Sequence, residues 1–184
     1  DPGAYYPEEK EALKNYIIDE HLNVEHVLIT HLHPDHIFGL SFLYKEFGFK
    51  AEANDADEKL FYGMAKHGEL FGMKIDDEPI LLKNYLNDRD IVTFGTTKIE
   101  CIAVPGHSPG SLAYYLKEEK CLFSGDALFR GSIGRTDFKG GDFDSLRNAI
   151  INRLFILPDD TVVYAGHGEN TTISYEKLNN QFLK

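Results

Sequence analysis

The stretch Thr30-His31-Leu32-His33-Pro34-Asp35-His36 places three imidazoles and one carboxylate within six residues. It follows Val27-Leu28-Ile29-Thr30, a short β-rich run that reads as a buried strand. A helical pattern succeeds it: Leu40, Leu43, Tyr44 and Phe47 have i, i+3, i+4, i+7 spacing, and Gly48 stands where a helix would stop. His31 and His33 can face the same way in an extended turn, with Asp35 and His36 one step further round. Imidazole and carboxylate together suit Zn²⁺, Fe or Mn²⁺. A solvated His-rich loop would lie in polar sequence, whereas this run abuts an apolar strand.

Three further potential ligands recur in the same setting. His107 lies in Pro105-Gly106-His107-Ser108-Pro109-Gly110, Asp126 in Ser124-Gly125-Asp126, and His167 in Gly166-His167-Gly168. Each sits just past the end of a predicted strand, beside glycines that let the backbone turn sharply. If the strands are neighbours, these loops converge on one rim. Five histidines (31, 33, 36, 107 and 167) and two aspartates (35 and 126) exceed the needs of one tetrahedral ion. Seven ligands fit two ions with a shared carboxylate, from Asp126 or Asp35, and paired ions commonly lie about 3.5–4 Å apart.

The rest of the chain narrows the alternatives. It has 184 residues and a formal net charge of −11, a balance that argues against binding nucleic acid or an anionic membrane. No apolar run approaches the roughly 20 residues that span a bilayer, and no secretory leader is visible. The two cysteines, Cys101 and Cys121, sit among apolar residues and make no disulfide framework, consistent with a reducing, cytoplasmic setting. Without repeats or linkers, residues 1–184 read as one domain. Helices are predicted from Pro7, over 56–67, 143–155 and 174–182. Strands are predicted over 49–53, 91–94, 98–104, 112–116, 120–123 and 161–165, and a loop over 68–87. Interspersed strands and helices indicate an α/β or α+β layered fold. His21, His26 and His67 are assigned no role, and Asp76-Asp77-Glu78 reads as a solvated acidic face.

His31-x-His33-x-Asp35-His36 followed by His107, Asp126 and His167 resembles the metallo-β-lactamase superfamily of metal-dependent hydrolases. The run Ser124 to Phe138, with Gly166-His167-Gly168 and Tyr175 to Asn180, is similar to its small glyoxalase II-like group. The resemblance implies an αββα sandwich with the metal site at one edge of the sheets. It implies one metal on His31, His33 and His107, a second on Asp35, His36 and His167, and Asp126 bridging. Zinc is the first expectation, with iron or manganese as alternatives. Asp126, where one lactamase branch carries Cys, speaks against lactam hydrolysis. Arg135 matches the family's basic substrate-gripping position; its other reading is a surface salt bridge with Asp137. Asp1 is expected beneath the metal loop, accepting from a ligand imidazole. Relatives begin with strands that lead into Asp-Pro-Gly, expected to be missing here, as is the C-terminal helical glutathione-binding domain of larger glyoxalase II enzymes.

The implied activity is hydrolysis of a small-molecule thioester, of the hydroxyacylglutathione type, by a metal-activated hydroxide. Asp126 would organise the ions and Asp35 would orient the nucleophile. Two other readings stand beside it. One is a persulfide dioxygenase of the same superfamily, with one iron on His31, His107 and Asp126, suggested by Gly134-Arg135-Thr136-Asp137-Phe138. The other is a non-catalytic binding remnant. Ser108 and Ser111 are expected to serve the turn after His107 rather than act as nucleophiles.

Overall fold

The run Ile99 to Val104 alternates in a way that requires cover on both sides. Ile99 and Cys101 join one apolar cluster, Ile102 and Val104 another. The neighbouring run repeats this, with Leu112 and Tyr114 facing one way and Ala113 and Tyr115 the other. Strands apolar on both faces belong inside a layered sandwich. The computed structural model, which describes residues 1–58 and 82–184, has that architecture.

Helices α1 (Pro7–Asp19), α2 (Pro34–Ile37) and α3 (Leu40–Phe47) precede a small parallel pair, β1 (Ala51–Ala53) and β2 (Leu82–Tyr85). The main sheet contains β3 (Ile91–Phe94), β4 (Thr97–Ala103), β5 (Leu112–Leu116) and β6 (Cys121–Gly125). A short hairpin, β7 (Leu128–Phe129) with β8 (Ser132–Ile133), and helix α4 (Phe143–Ala149) lead to β9 (Val162–Ala165), β10 (Thr171–Thr172) and α5 (Ile173–Asn179). The order of the main sheet is β10-β9-β6-β5-β4-β3, antiparallel except for the parallel β6–β9 pair. One face packs Ile102, Val104, Leu122 and Val163 against Leu146, Ile150, Leu154 and Ile173 of the helical layer. The other meets the first sheet, where the Tyr114 hydroxyl donates to the Ile29 carbonyl at 2.7 Å. Ile37 and Leu40 cover that sheet's outer side with Ile29, Ala51 and Ala53. The expected αββα arrangement is therefore present.

Several local expectations change. Val27 to Thr30 makes one parallel bridge, Leu28 to Glu52, rather than a full strand. Part of the expected 68–87 loop is β2, whose Lys83, Asn84 and Tyr85 are exposed, so apolar alternation gave no signal. The expected 56–67 helix is described only at its start, where Asp55–Asp57 form a 3₁₀ turn and Glu58 is α-helical; its remainder, His67 and Asp76 to Glu78 lie outside the described residues. The 143–155 helix finishes in a π-helical turn, Ile150–Leu154. Helix α1 forms as expected, with Glu9 accepting from the Tyr5 and Tyr6 N–H groups, yet it buries no residue.

Strand direction positions the site. Two antiparallel steps make β4 run with β6, and β6 is parallel to β9. Their C-terminal ends share one edge, so His107, Asp126 and His167 emerge together. The Leu112 N–H donates to the Thr30 carbonyl at 2.8 Å, bringing the His31 loop to the same edge.

Candidate metal centre

All seven predicted ligands converge. Three sets have potential ligand atoms within 4.8 Å of one another: His31, His33 and His107; His31, His36 and Asp126; and Asp35, His36 and His167. His107 Nε2 lies 3.2 Å from His31 Nε2 and 2.9 Å from His33 Nδ1. His167 Nε2 lies 3.0 Å from Asp35 Oδ2 and 3.6 Å from Asp126 Oδ2. Asp126 stands between the outer sets, with Oδ2 3.6 Å from His107 Nε2 and Oδ1 3.3 Å from His36 Nε2.

Hydrogen bonding decides which way the imidazole lone pairs face. The Arg135 carbonyl lies 2.8 Å from His107 Nδ1, and a carbonyl can only accept, so Nδ1 carries the proton. The lone pair of His107 Nε2 then points at His31 and His33. The Asp1 carboxylate, 2.9 Å from His36 Nδ1, fixes the same tautomer there. Thr30 Oγ1 gives its proton to Asp1 Oδ2 at 2.7 Å, so it accepts from His31 Nδ1 at 3.1 Å. Three imidazoles thus present Nε2 lone pairs inward, each set by a partner on its outer nitrogen.

This set fits a divalent cation on the protein's own terms. Among the described residues, His36 Nε2 and Asp126 Oδ1 are buried without a hydrogen-bond partner, although such atoms in a settled interior are nearly always paired. Burial, then the neighbouring imidazoles, lowers His31 well below its ordinary value of 6.5, and burial with His107 lowers His33 to about 4. Both are therefore neutral and able to coordinate at pH 7. Gly166 admits the close approach: a Cβ there would strike Asp126 Oδ1 and come within 2.8 Å of His36 Cε1.

Around the mouth, Phe138 lies 5.7 Å from the His33 ring and Phe129 6.3 Å from the His167 ring, centroid to centroid. Arg135 forks Asp137 through two 2.7 Å hydrogen bonds and lies 3.9 Å over the Phe138 ring. That pair holds the Asp137 carboxyl at about 2. Arg130 approaches Glu169 at 3.2 Å. Of the residues given no role, His26 is tied to Glu52 at 2.6 Å and to the Thr93 carbonyl at 3.0 Å. Ser108 and Ser111 are buried in the turn after His107, as expected. Sequence reasoning passed over Asp57, which is buried between two ligand loops; Asn54-Asp55-Ala56-Asp57 looks like an ordinary polar turn, and no spacing singles it out.

The chain belongs to the metallo-beta-lactamase superfamily, whose profile matches residues 1–167. It is 36% identical over 184 residues to a Haemophilus influenzae protein described as hydroxyacylglutathione hydrolase GloC, covering all of this chain and 85% of that one. Among solved structures, TTHA1623 in a di-iron-bound form is 34% identical with a TM-score of 0.88, covering 100% of this chain and 87% of that one. BLEG-1, described as a B3 metallo-beta-lactamase, is 33% identical with a TM-score of 0.87, covering 98% and 91%. No helix among the described residues is long and apolar enough to cross a membrane.

Proposed function

We propose that this protein is a metal-dependent hydrolase of small thioesters, of the hydroxyacylglutathione type, working with two divalent ions. The observation that carries the reading is the position of Asp126 between two ligand sets, supported by the identity to the Haemophilus hydrolase. His31, His33 and His107 would hold one ion, and Asp35, His36 and His167 the other, with Asp126 shared. Ions so bound lower the pKa of water toward about 7 and polarise a carbonyl oxygen. Zinc is the proposed metal, and the di-iron state of TTHA1623 makes iron the alternative to measure.

The protein's own groups supply the remaining work. Asp35, exposed at the mouth, orients the attacking water by accepting a hydrogen bond from it. A cysteine-like thiol with a pKa near 8.5 leaves as thiolate, so cleavage of the C–S bond needs no strong general acid. Arg135 offers a substrate carboxylate a charge-assisted anchor, for which that carboxylate must displace Asp137. Phe129 and Phe138 flank the approach with apolar surface.

The test is hydrolysis of S-D-lactoylglutathione by protein loaded with Zn²⁺ or Fe²⁺, with metal counted in the same sample. The expected result is thioester cleavage that a chelator abolishes. O₂ uptake with glutathione persulfide, or lactam cleavage, in place of thioester cleavage would overturn the reading.

A further inference from the structure

Asp57 is 1% exposed, and three uncharged donors compensate its burial. The Leu32 N–H donates to Oδ2 at 3.2 Å, the Ser108 hydroxyl to Oδ2 at 2.7 Å, and the Gly110 N–H to Oδ1 at 2.6 Å. Leu32 lies between His31 and His33, while Ser108 and Gly110 follow His107. One carboxylate therefore ties together the two loops whose imidazoles meet in the first ligand set.

The surrounding groups are built for this contact. Because the Ser108 hydroxyl gives its single proton to Asp57, the Ser111 hydroxyl must donate to Ser108 Oγ, 2.8 Å away. Ser111 Oγ in turn accepts from the Ser108 N–H at 3.2 Å. A Cβ on Gly110 would lie 2.7 Å from Asp57 Cγ, so glycine at 110 leaves room for the carboxylate. Among the described residues, the hydrogen bonds of this network join backbone N–H groups and serine hydroxyls of the two loops rather than a ligand nitrogen.

We propose that Asp57 is a positioning residue for the metal centre: it fixes the separation of the His31–His33 loop from the His107 loop. It thereby sets the affinity of any ion that draws on both loops. An ion on Asp35, His36 and His167 takes nothing from the His107 loop and should not depend on it. Ligand sets hold their metal only within about 0.5 Å of the productive geometry, and partners behind the ligands commonly account for 10–100-fold in affinity. This inference concerns metal binding and does not depend on which substrate is cleaved.

The test is calorimetric titration of metal-free protein with Zn²⁺, comparing wild type with Asp57→Asn. The amide keeps the shape but turns an N–H donor toward donors, loosening one of the two loops. The expected result is one binding event weakened by about 10–100-fold and the other nearly unchanged. If wild type takes a single ion on His31, His107 and Asp126, that event should weaken equally, because it too spans both loops. A double-mutant cycle separates positioning from general stability. The Asp57→Asn effect should persist in His167→Ala and vanish in His107→Ala, which leaves no ion drawing on both loops. Equal loss at both sites, no loss at either, or persistence of the effect in His107→Ala would overturn the proposal. Should Asp57→Asn not fold, Ser108→Ala carries the test by removing one of the three bonds. A several-fold weakening of the same event supports the proposal, and an unchanged titration overturns it.

Discussion

Asp1 and His36, 35 positions apart, meet at 2.9 Å, with Asp1 Oδ2 accepting from His36 Nδ1. The same carboxylate accepts from the Thr30 N–H at 2.6 Å and the Thr30 hydroxyl at 2.7 Å. It therefore fixes the His36 tautomer directly and that of His31 through Thr30. Asp1→Ala should lower the affinity of the site that contains His36 by about 10–100-fold. Competition for Zn²⁺ against a coloured chelator measures this, and unchanged affinity would show that the carboxylate is incidental.

Asp126→Ala should damage the centre more than any single histidine change. Asp126 is the group that stands between His36 on one side and His107 on the other. Its loss removes a ligand from both ions and leaves two cations facing each other across a smaller ligand set. Metal per chain should fall toward zero in Asp126→Ala and toward one in His33→Ala. Two ions retained in Asp126→Ala would contradict the shared role.

Much of this was legible in the sequence because the ligands are covalently local or follow strands. His31 to His36 is a single segment, and the runs before His107, Asp126 and His167 carry strong β patterning. The sheet order then brings three loops to one edge, as the shared placement after strand ends implied. What could not be read are contacts made by unremarkable polar residues over long separations. Asp57 reaches Ser108 and Gly110 from more than fifty positions away, and nothing in its own neighbourhood announces that. Strand β2 was missed for a related reason: its Lys83, Asn84 and Tyr85 face solvent and show no apolar alternation. Arg135 had two readings, and the salt bridge with Asp137 is the one present in the free protein.

Without metal, the protein should lose stability in acid at a point set by its buried histidines. His31 and His33 are held neutral in the fold, with His33 lowered to about 4, whereas in the unfolded chain they protonate near 6.5. Below about 6.5 the unfolded state binds more protons, so stability falls with pH until the folded-state values are reached. For His33 alone the full effect is on the order of 3 kcal/mol. Between pH 7.5 and pH 5 the melting temperature of metal-free protein should drop by about 4–8 °C. His33→Gln should show a smaller drop. A melting temperature that is flat or higher at pH 5 would contradict the assignment.

The two thiols should differ in reactivity. Cys101 is wholly buried, and burial pushes its thiol up to about 12; Cys121 is partly exposed and raised by burial and by Glu119. At pH 8 an aromatic disulfide reagent should titrate one thiol slowly in the folded protein and the second only after unfolding. Two thiols released rapidly from folded protein would contradict this.

The central claim is a paired metal centre with Asp126 shared between its two ions. Crystals of the metal-loaded protein, measured at the absorption edge of the bound metal, test it most directly. The account predicts two anomalous peaks about 3.5–4 Å apart, one beside His31, His33 and His107, the other beside Asp35, His36 and His167, with an Asp126 oxygen between them. A single fully occupied peak on His31, His107 and Asp126, with His167 turned away under saturating metal, would contradict it.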